Sequence, residues 1–247
     1  MSIDKVAIVV PCYNEALRFN AAYFQQIMNI SQIRLFFVND GSEDDTVSVL
    51  NGFSLNFGGR VLDLANNVGK ANAIRLGMLS VISDLKDFEP DAIAFLDADA
   101  AFDIQSVIDG IAVARRLLDE GYDIIISSRV SLSGRKITRK THRHIIGRLI
   151  VTILGLKFKD VPYDPQSGFK IFRVQSSLEK SLEIPFSTRW FGDIEILYRL
   201  KKFSPTTPKI WEEPAHGWQD VRGSNIAIRG SLQILIELIH VMRLKYE

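Results

Sequence analysis

Short apolar runs alternate with longer segments of helical period through the first half of the chain. Val6–Val10 predicts a strand and Ala16–Asn29 a helix; Arg34–Val38 predicts the next strand, followed by a helix from about Asp44 to Asn51. Val61–Leu64 reads as a third strand and Lys70–Ser83 as a helix carrying Ala71, Ala73, Ile74, Gly77 and Met78. Ala92–Leu96 is the fourth strand with Ile104–Leu118 as its helix, and Asp123–Ser127 is the fifth. The fourth run is apolar without interruption, as a strand buried on both faces must be. Strands alternating with helices of this length imply right-handed βαβ units. The predicted class is α/β, a Rossmann-like, mostly parallel central sheet flanked by helices.

Sheets of this kind bind ligands beyond the carboxyl ends of their strands. Each predicted strand here ends in polar residues or turn formers: Pro11-Cys12-Tyr13-Asn14-Glu15, Asn39-Asp40-Gly41-Ser42, Asn66-Asn67-Val68-Gly69-Lys70, Asp97-Ala98-Asp99 and Ser127-Ser128-Arg129. These sets converge on one edge, which makes that edge the candidate site.

Asp97 and Asp99 constrain its chemistry most. In extended chain, residues i and i+2 point the same way with Cα atoms about 6–7 Å apart. Two such carboxylates facing water can share a hard divalent cation and the substrate it carries; a solvated acidic turn is the alternative. Asp40 can accept hydrogen bonds from a base or ribose, and Gly41 permits a tight turn. Ser42 or Asp44 equally suits an N-cap of the following helix. Gly69-Lys70 opens a helix whose N-terminal amides favour anions, and Lys70 adds charge suited to a diphosphate. Pro11, Tyr13, Asn14 and Glu15 are candidate substrate contacts, with capping the alternative for Asn14 and Glu15. Cys12 reads as packing, because no histidine lies nearby in sequence to activate it.

Composition adds few mandates. Hydrophobic residues make up 47% and charged residues 24%, and Lys+Arg 30 against Asp+Glu 29 leaves any basic surface local. A single cysteine excludes an intramolecular disulfide and fits a reducing, cytoplasmic compartment. The first apolar run is too short for a signal-peptide core, and no stretch approaches the roughly 20 apolar residues that span a bilayer. The expected location is therefore cytoplasmic, or peripheral on the cytoplasmic face of a membrane.

One segment is strongly biased. Residues 124–159 contain no Asp or Glu but nine cations in 36 residues: Arg129, Arg135, Lys136, Arg139, Lys140, Arg143, Arg148, Lys157 and Lys159. The apolar stretch Ile145–Leu154 is interleaved with them. A basic cluster abutting an apolar segment suits a membrane surface and a lipid phosphate; a basic loop followed by an ordinary core helix is the alternative. Nucleic acid lacks support, since no aromatic interleaving accompanies the charge. Near the C-terminus, Ser231–Tyr246 places Leu232, Leu235, Ile236 and Ile239 at helical spacing, suited to docking on the domain, the membrane interface or a partner copy in an oligomer.

Val9-Val10-Pro11-Cys12-Tyr13-Asn14-Glu15, Val38–Ser42, Asn67–Ala73 and Leu96–Asp99 together resemble the nucleotide-sugar half of family 2 glycosyltransferases of the GT-A fold. The resemblance continues through Ser128-Arg129, Asp164–Lys170 and Arg189–Glu195, where it is similar to the polyprenyl-phosphate branch, the dolichyl-phosphate glucosyltransferases and less closely the dolichol-phosphate mannose synthases. Two positions depart: the mannose synthases carry a glutamine where this chain continues Ala100-Ala101-Phe102, and Asn225 stands where relatives often have lysine.

The resemblance implies one GT-A domain over 1–247, with a nucleotide-sugar half (1–128), an acceptor half (129–225) and a C-terminal amphipathic helix (226–247). It implies inverting transfer of a hexose from a UDP- or GDP-sugar, best UDP-glucose. Asp40 would contact the nucleotide, and Asp97 and Asp99 would hold Mg²⁺ or Mn²⁺ on the diphosphate. A phosphate monoester has a second pKa near about 6 and is already nucleophilic at neutral pH. A polyprenyl phosphate acceptor at a membrane surface therefore needs positioning, by Arg129 with some of Arg135, Arg139, Lys140 and Arg143, rather than deprotonation. Gln166, Ser167 and Gly168 are expected to line the acceptor side, with Gly168 admitting a close approach. Asp193 is a base, an orienter or a helix-start residue favoured by the macrodipole. The competing functions are transfer to a hydroxyl of a soluble, glycan or lipid acceptor, which needs a base, a metal-dependent nucleotidyltransferase, and a non-catalytic nucleotide-sugar binder.

Overall fold

The computed structural model describes residues 4–83, 88–158, 161–221 and 228–243. Its strands are β1 (Val6–Cys12), β2 (Ile33–Asp40), β3 (Arg60–Leu64), β4 (Ala92–Leu96), β5 (Ile124–Ser128), β6 (Lys136–Thr138), β7 (Phe169–Arg173), β8 (Ile210–Pro214) and β9 (Gly217–Gln219). Its helices are α1 (Ala21–Met28), α2 (Thr46–Phe57), α3 (Lys70–Ser83), α4 (Ile104–Asp119), α5 (Thr141–Gly155), α6 (Ser176–Glu183), α7 (Gly192–Phe203) and α8 (Ile228–Arg243). Seven strands form one sheet in the order β3-β2-β1-β4-β7-β5-β8, while β6 pairs with β9.

Alternation along β1 divides the core. Val6, Ile8, Val10 and Cys12 face a layer built by α1, α2 and α4, whereas Ala7 and Val9 face α3, α6 and α7. With both faces covered, every residue of β4 is buried. A third, smaller cluster joins Leu154 of α5, Phe191 and Ile194 at the start of α7, and Leu238 and Val241 of α8.

Two helix starts differ from the periodicity. The first helix begins at Ala21 rather than Ala16, because the Asn20 side chain caps it by accepting the Tyr23 amide at 3.0 Å. The preceding residues form a turn in which the Arg18 and Phe19 amides donate to the Glu15 carbonyl. The second helix runs Thr46–Phe57, later and longer than expected. Neither Ser42 nor Asp44 is its N-cap; Asp44 accepts from the Ala16 amide (3.2 Å) and the Thr46 amide (3.0 Å), tying the loop after β1 to the start of α2.

The largest departure is β7, which enters the sheet antiparallel between β4 and β5. Its direction has a consequence for the site: Phe169 pairs with Leu96, so the turn preceding β7 lies at the same edge as the end of β4. The small β6–β9 sheet covers that edge from one side. The Asp103 amide donates to the Gly217 carbonyl (3.0 Å) and the Gln219 amide to the Ala101 carbonyl (3.0 Å), so the chain after Asp99 is stitched to β9.

Candidate active site

Asp97 leaves β4 with its amide donating to the Gly168 carbonyl at 2.9 Å. Gly168 permits this close approach: a Cβ there would collide with Asp97 Oδ2 and displace that carboxylate. The close approach is thus made by a carboxylate. Asp97 Oδ1 forms an ion pair with Lys70 Nζ at 2.6 Å. Asp99 Oδ1 accepts the Ala101 amide at 3.1 Å across a turn in which Ala100 has φ +53°. Burial, and then the charge of Asp97, push the Asp99 carboxyl above the usual carboxylate range. Burial also raises Glu15, to about 6, with Arg18 opposing and Asp99 and Asp97 adding to the rise. The Glu15 Oε2 atom and the Tyr23 hydroxyl are buried without hydrogen-bond partners among the described residues.

These residues fit a hard divalent cation. Asp97 and Asp99 present carboxylate oxygens in an acidic pocket that Glu15 makes more negative, and the Lys70 ammonium already stands at Asp97 where positive charge is needed. Among the described residues no group of three or more His, Cys, Asp or Glu encloses an ion. A cation here would draw its remaining ligands from a diphosphate and water, the arrangement Mg²⁺ favours with nucleotide phosphates.

The loops that follow β1, β2 and β3 are fastened to one another. Asn14, at φ +52°, accepts the Glu43 amide through Oδ1 (2.9 Å) and donates its own amide to Ser42 Oγ (3.0 Å). Asp40 accepts the amides of Val68 (2.7 Å) and Gly69 (3.0 Å), and its carbonyl accepts Asn67 Nδ2 (3.1 Å). Burial raises its carboxyl while those two amides pull it back. Asp40 therefore orders the loop into α3, at φ +86° for Gly69, whose missing side chain leaves room for Arg189. Arg189 in turn hydrogen-bonds Asn67.

This corrects the expectation for the start of α3. The Val68 and Gly69 amides are taken by Asp40, and the Ala71 amide faces the Arg189 carbonyl at 3.4 Å. Three of the amides at this helix start are therefore already engaged, and the positive charge that remains there is the Lys70 side chain. Burial works against the Lys70 charge, but Asp97, Asp193 and Asp99 outweigh it and raise its pKa. Pro11 is partly buried and Tyr13 exposed on the rim of this edge.

The turn before β7 brings in Asp164, Gln166 and Ser167 beside Arg129. Arg129 is bidentate to Asp164 (Nε to Oδ2 and Nη2 to Oδ1, both 2.7 Å), donates its amide to Oδ2 (2.9 Å), and donates Nη2 to the Gln166 carbonyl (3.0 Å). Trp218 covers its guanidinium at 5.2 Å. Nε and Nη2 of Arg129 are accordingly committed to Asp164 and Gln166, so its charge is already partly neutralised without any phosphate. Ser167 is wholly buried with its hydroxyl on the Ser127 carbonyl, so it supports the turn and does not face substrate.

Arg139 is different. Its guanidinium makes no ion pair among the described residues, and burial followed by the neighbouring charge of Arg129 lowers its pKa. Lys140 is exposed, its amide held by Asp220 (2.9 Å), and Arg135 stands 3.9 Å from Glu213. The side chain of Arg143, and Asn225, lie outside the described residues.

Asp193 sits in the first turn of α7 and accepts Lys170 Nζ at 2.9 Å; that ammonium also donates to the Ser167 carbonyl at 2.5 Å. Lys170 is fully buried, over the Phe95 ring, and burial lowers its pKa against the opposing pull of Asp193. Lys170 and Asp164 were missed as site residues. The signal was present: a lysine inside the apolar run Phe169-Lys170-Ile171-Phe172 is tolerated only beside a buried partner.

Comparison with known proteins agrees with this architecture. The model of the glycosyl transferase family 2 matches residues 7–181, and the chain belongs to that family. A dolichyl-phosphate beta-glucosyltransferase of Drosophila melanogaster is 30% identical over 90% of this chain and 69% of its own length. An undecaprenyl-phosphate 4-deoxy-4-formamido-L-arabinose transferase of Sodalis glossinidius is 27% identical over 84% of the chain and 70% of the relative. The crystal structure of glucosyl-3-phosphoglycerate synthase from Mycobacterium tuberculosis with Mn²⁺, UDP-glucose and phosphoglyceric acid superposes with a TM-score of 0.64 at 15% identity, covering 96% of this chain and 79% of that one. The chain is a glycosyltransferase with the GT-A fold.

Proposed function

We propose that this family 2 glycosyltransferase moves a hexose, best glucose from UDP-glucose, to a polyprenyl phosphate with inversion at the anomeric carbon. The observation that carries the acceptor is Arg139: a half-buried guanidinium that makes no ion pair among the described residues and lies within the field of Arg129, which Asp164 has already neutralised. Such a cation calls for an anionic ligand. The relatives that act on dolichyl and undecaprenyl phosphates support the same choice.

Donor and acceptor would meet at the turn where Gly168 touches Asp97, with residues 1–128 holding the donor and 129–225 the acceptor. Lys70 and the carboxylates of Asp97 and Asp99 would position the diphosphate; Mg²⁺ or Mn²⁺, when bound, supplies neutralisation of the charge that develops on the departing nucleotide. Arg139, assisted by Lys140, would aim the acceptor phosphate. A phosphate oxygen attacks the anomeric carbon, the bond from that carbon to the diphosphate breaks, and the electron pair leaves with the nucleoside diphosphate. No proton has to be removed from the acceptor. Asp193, held by Lys170, would position and not deprotonate.

The test is a donor panel with Mg²⁺ or Mn²⁺, run with and without a short-chain polyprenyl phosphate. The expected products are a glycosylated lipid phosphate and a free nucleoside diphosphate. Transfer only to hydroxyl acceptors, or release of pyrophosphate, overturns the reading.

A further inference from the structure

We infer that α5 and α8 together form the face by which this chain lies on an anionic lipid bilayer. The two helices share their inner sides through Leu154, Leu238 and Val241. Each then turns apolar residues outward. On α5, Ile145, Ile146 and Leu149 are 60%, 55% and 59% exposed; on α8, Leu235, Ile236 and Ile239 are 51%, 58% and 43% exposed. Among the described residues no helix is long and apolar enough to cross a membrane, so these stripes suit a surface.

Charge selects the occupant. Residues 141–155 contain no carboxylate, and the only one in 228–243 is Glu237. Glu237 is buried and turned inward, accepting the amides of Arg189 (3.1 Å) and Trp190 (2.9 Å). Neither helix therefore offers an acid to solvent, whereas Lys140, His142 and Arg243 are exposed on them or at their ends. An ordinary solvated helix mixes both signs. A second copy of the same face would set cation against cation, while anionic headgroups satisfy both the apolar and the basic parts. Placement agrees: α5 begins directly after Arg139, and Glu237 ties α8 to the loop beside Asp193. This inference rests on the lipid-phosphate reading above for its purpose.

The test uses the full chain with vesicles containing no polyprenyl phosphate, of phosphatidylcholine alone or mixed with phosphatidylglycerol. Binding is expected to the mixed vesicles, to weaken with salt, and to fall at least about tenfold in Ile145→Glu/Leu149→Glu and in Ile236→Glu. Turnover on a water-soluble short-chain acceptor should stay unchanged in these variants, which also shows that they fold. Vesicle binding without any transfer to polyprenyl phosphate leaves the face standing and removes only the acceptor assignment. Equal binding to neutral vesicles, variants that bind as well as the parent, or self-association that the same substitutions abolish overturns the inference.

Discussion

The proposed donor side and the proposed acceptor side of the site handle charge in opposite ways. Around the donor, each loop is tied to another: Asn14 to Glu43, Asp40 to Val68 and Gly69, Asp97 to Lys70 and Gly168. Around the acceptor, Arg129 is closed by Asp164, but Arg139 keeps no ion pair among the described residues and α5 leaves Ile145, Ile146 and Leu149 in solvent. A pocket that must hold charge in place during reaction gains from fixed dipoles and fixed ions. A surface that must meet a lipid leaves its cations and apolar groups for the partner to satisfy. The contrast assigns rigidity to one side and recognition to the other, and each prediction strains one side or the joint between them.

The largest effect is expected on the donor edge. Asp97→Asn and Asp99→Asn should each lower kcat by about 10²–10³-fold or more while leaving the circular dichroism spectrum intact. Asn keeps the shape and removes the charge. Near-normal turnover in both variants would dissolve the contrast, since the acidic pocket would then be structural only.

Next comes the joint between the two sides, where buried Lys170 holds the partly exposed Asp193. Lys170→Met should cost about 1–3 kcal/mol in denaturant melts, because it leaves the partly exposed Asp193 carboxylate without its ion pair. Removing both charges, as Lys170→Met with Asp193→Leu, should recover most of that loss. Lys170→Arg separates support from packing: partial recovery of kcat without recovery of stability would show that the ammonium positions Asp193. Additive losses in the double variant would mean that the two residues act independently.

The acceptor edge should respond more mildly and more selectively. Arg139→Ala is expected to raise KM for a polyprenyl phosphate by about 10–100-fold, as loss of a charge-assisted contact does, with donor affinity unchanged. Equal loss of donor and acceptor binding would move Arg139 out of the acceptor site.

These residues also divide by how they could be read in advance. β4, α3 and the placement of Asp97 and Asp99 followed from uninterrupted apolar runs and clean periodicity, because local pattern and tertiary burial agree there. The antiparallel entry of β7 was not legible, since strand direction is set by sheet neighbours and not by composition. The pairing of Arg129 was hidden for a related reason. Asp164 lies 35 residues away, so the segment 124–159 looked uniformly unpaired. Separations of 28 and 29 residues likewise concealed that Asp40 would consume the amides expected to greet a phosphate.

The smallest effect isolates the electrostatics of the donor pocket. Glu15 titrates near 6, above its ordinary value of 4.5, because it is buried beside Asp99 and Asp97. The native state thus binds its proton more tightly than the unfolded chain does. Between pH 4.5 and 6 the folded protein carries more protons at this site, so stability falls as pH rises through that window, by about 2 kcal/mol for this shift. In Glu15→Gln that component is absent: its stability relative to the parent should increase across the window when both are unfolded in chelator. Adding Mn²⁺ with nucleoside diphosphate should shrink the difference, because a cation between Asp97 and Asp99 would favour the ionised Glu15. Parallel pH profiles in parent and variant would show that the pocket does not concentrate negative charge, and the donor edge would lose its claim to be the electrostatically strained half.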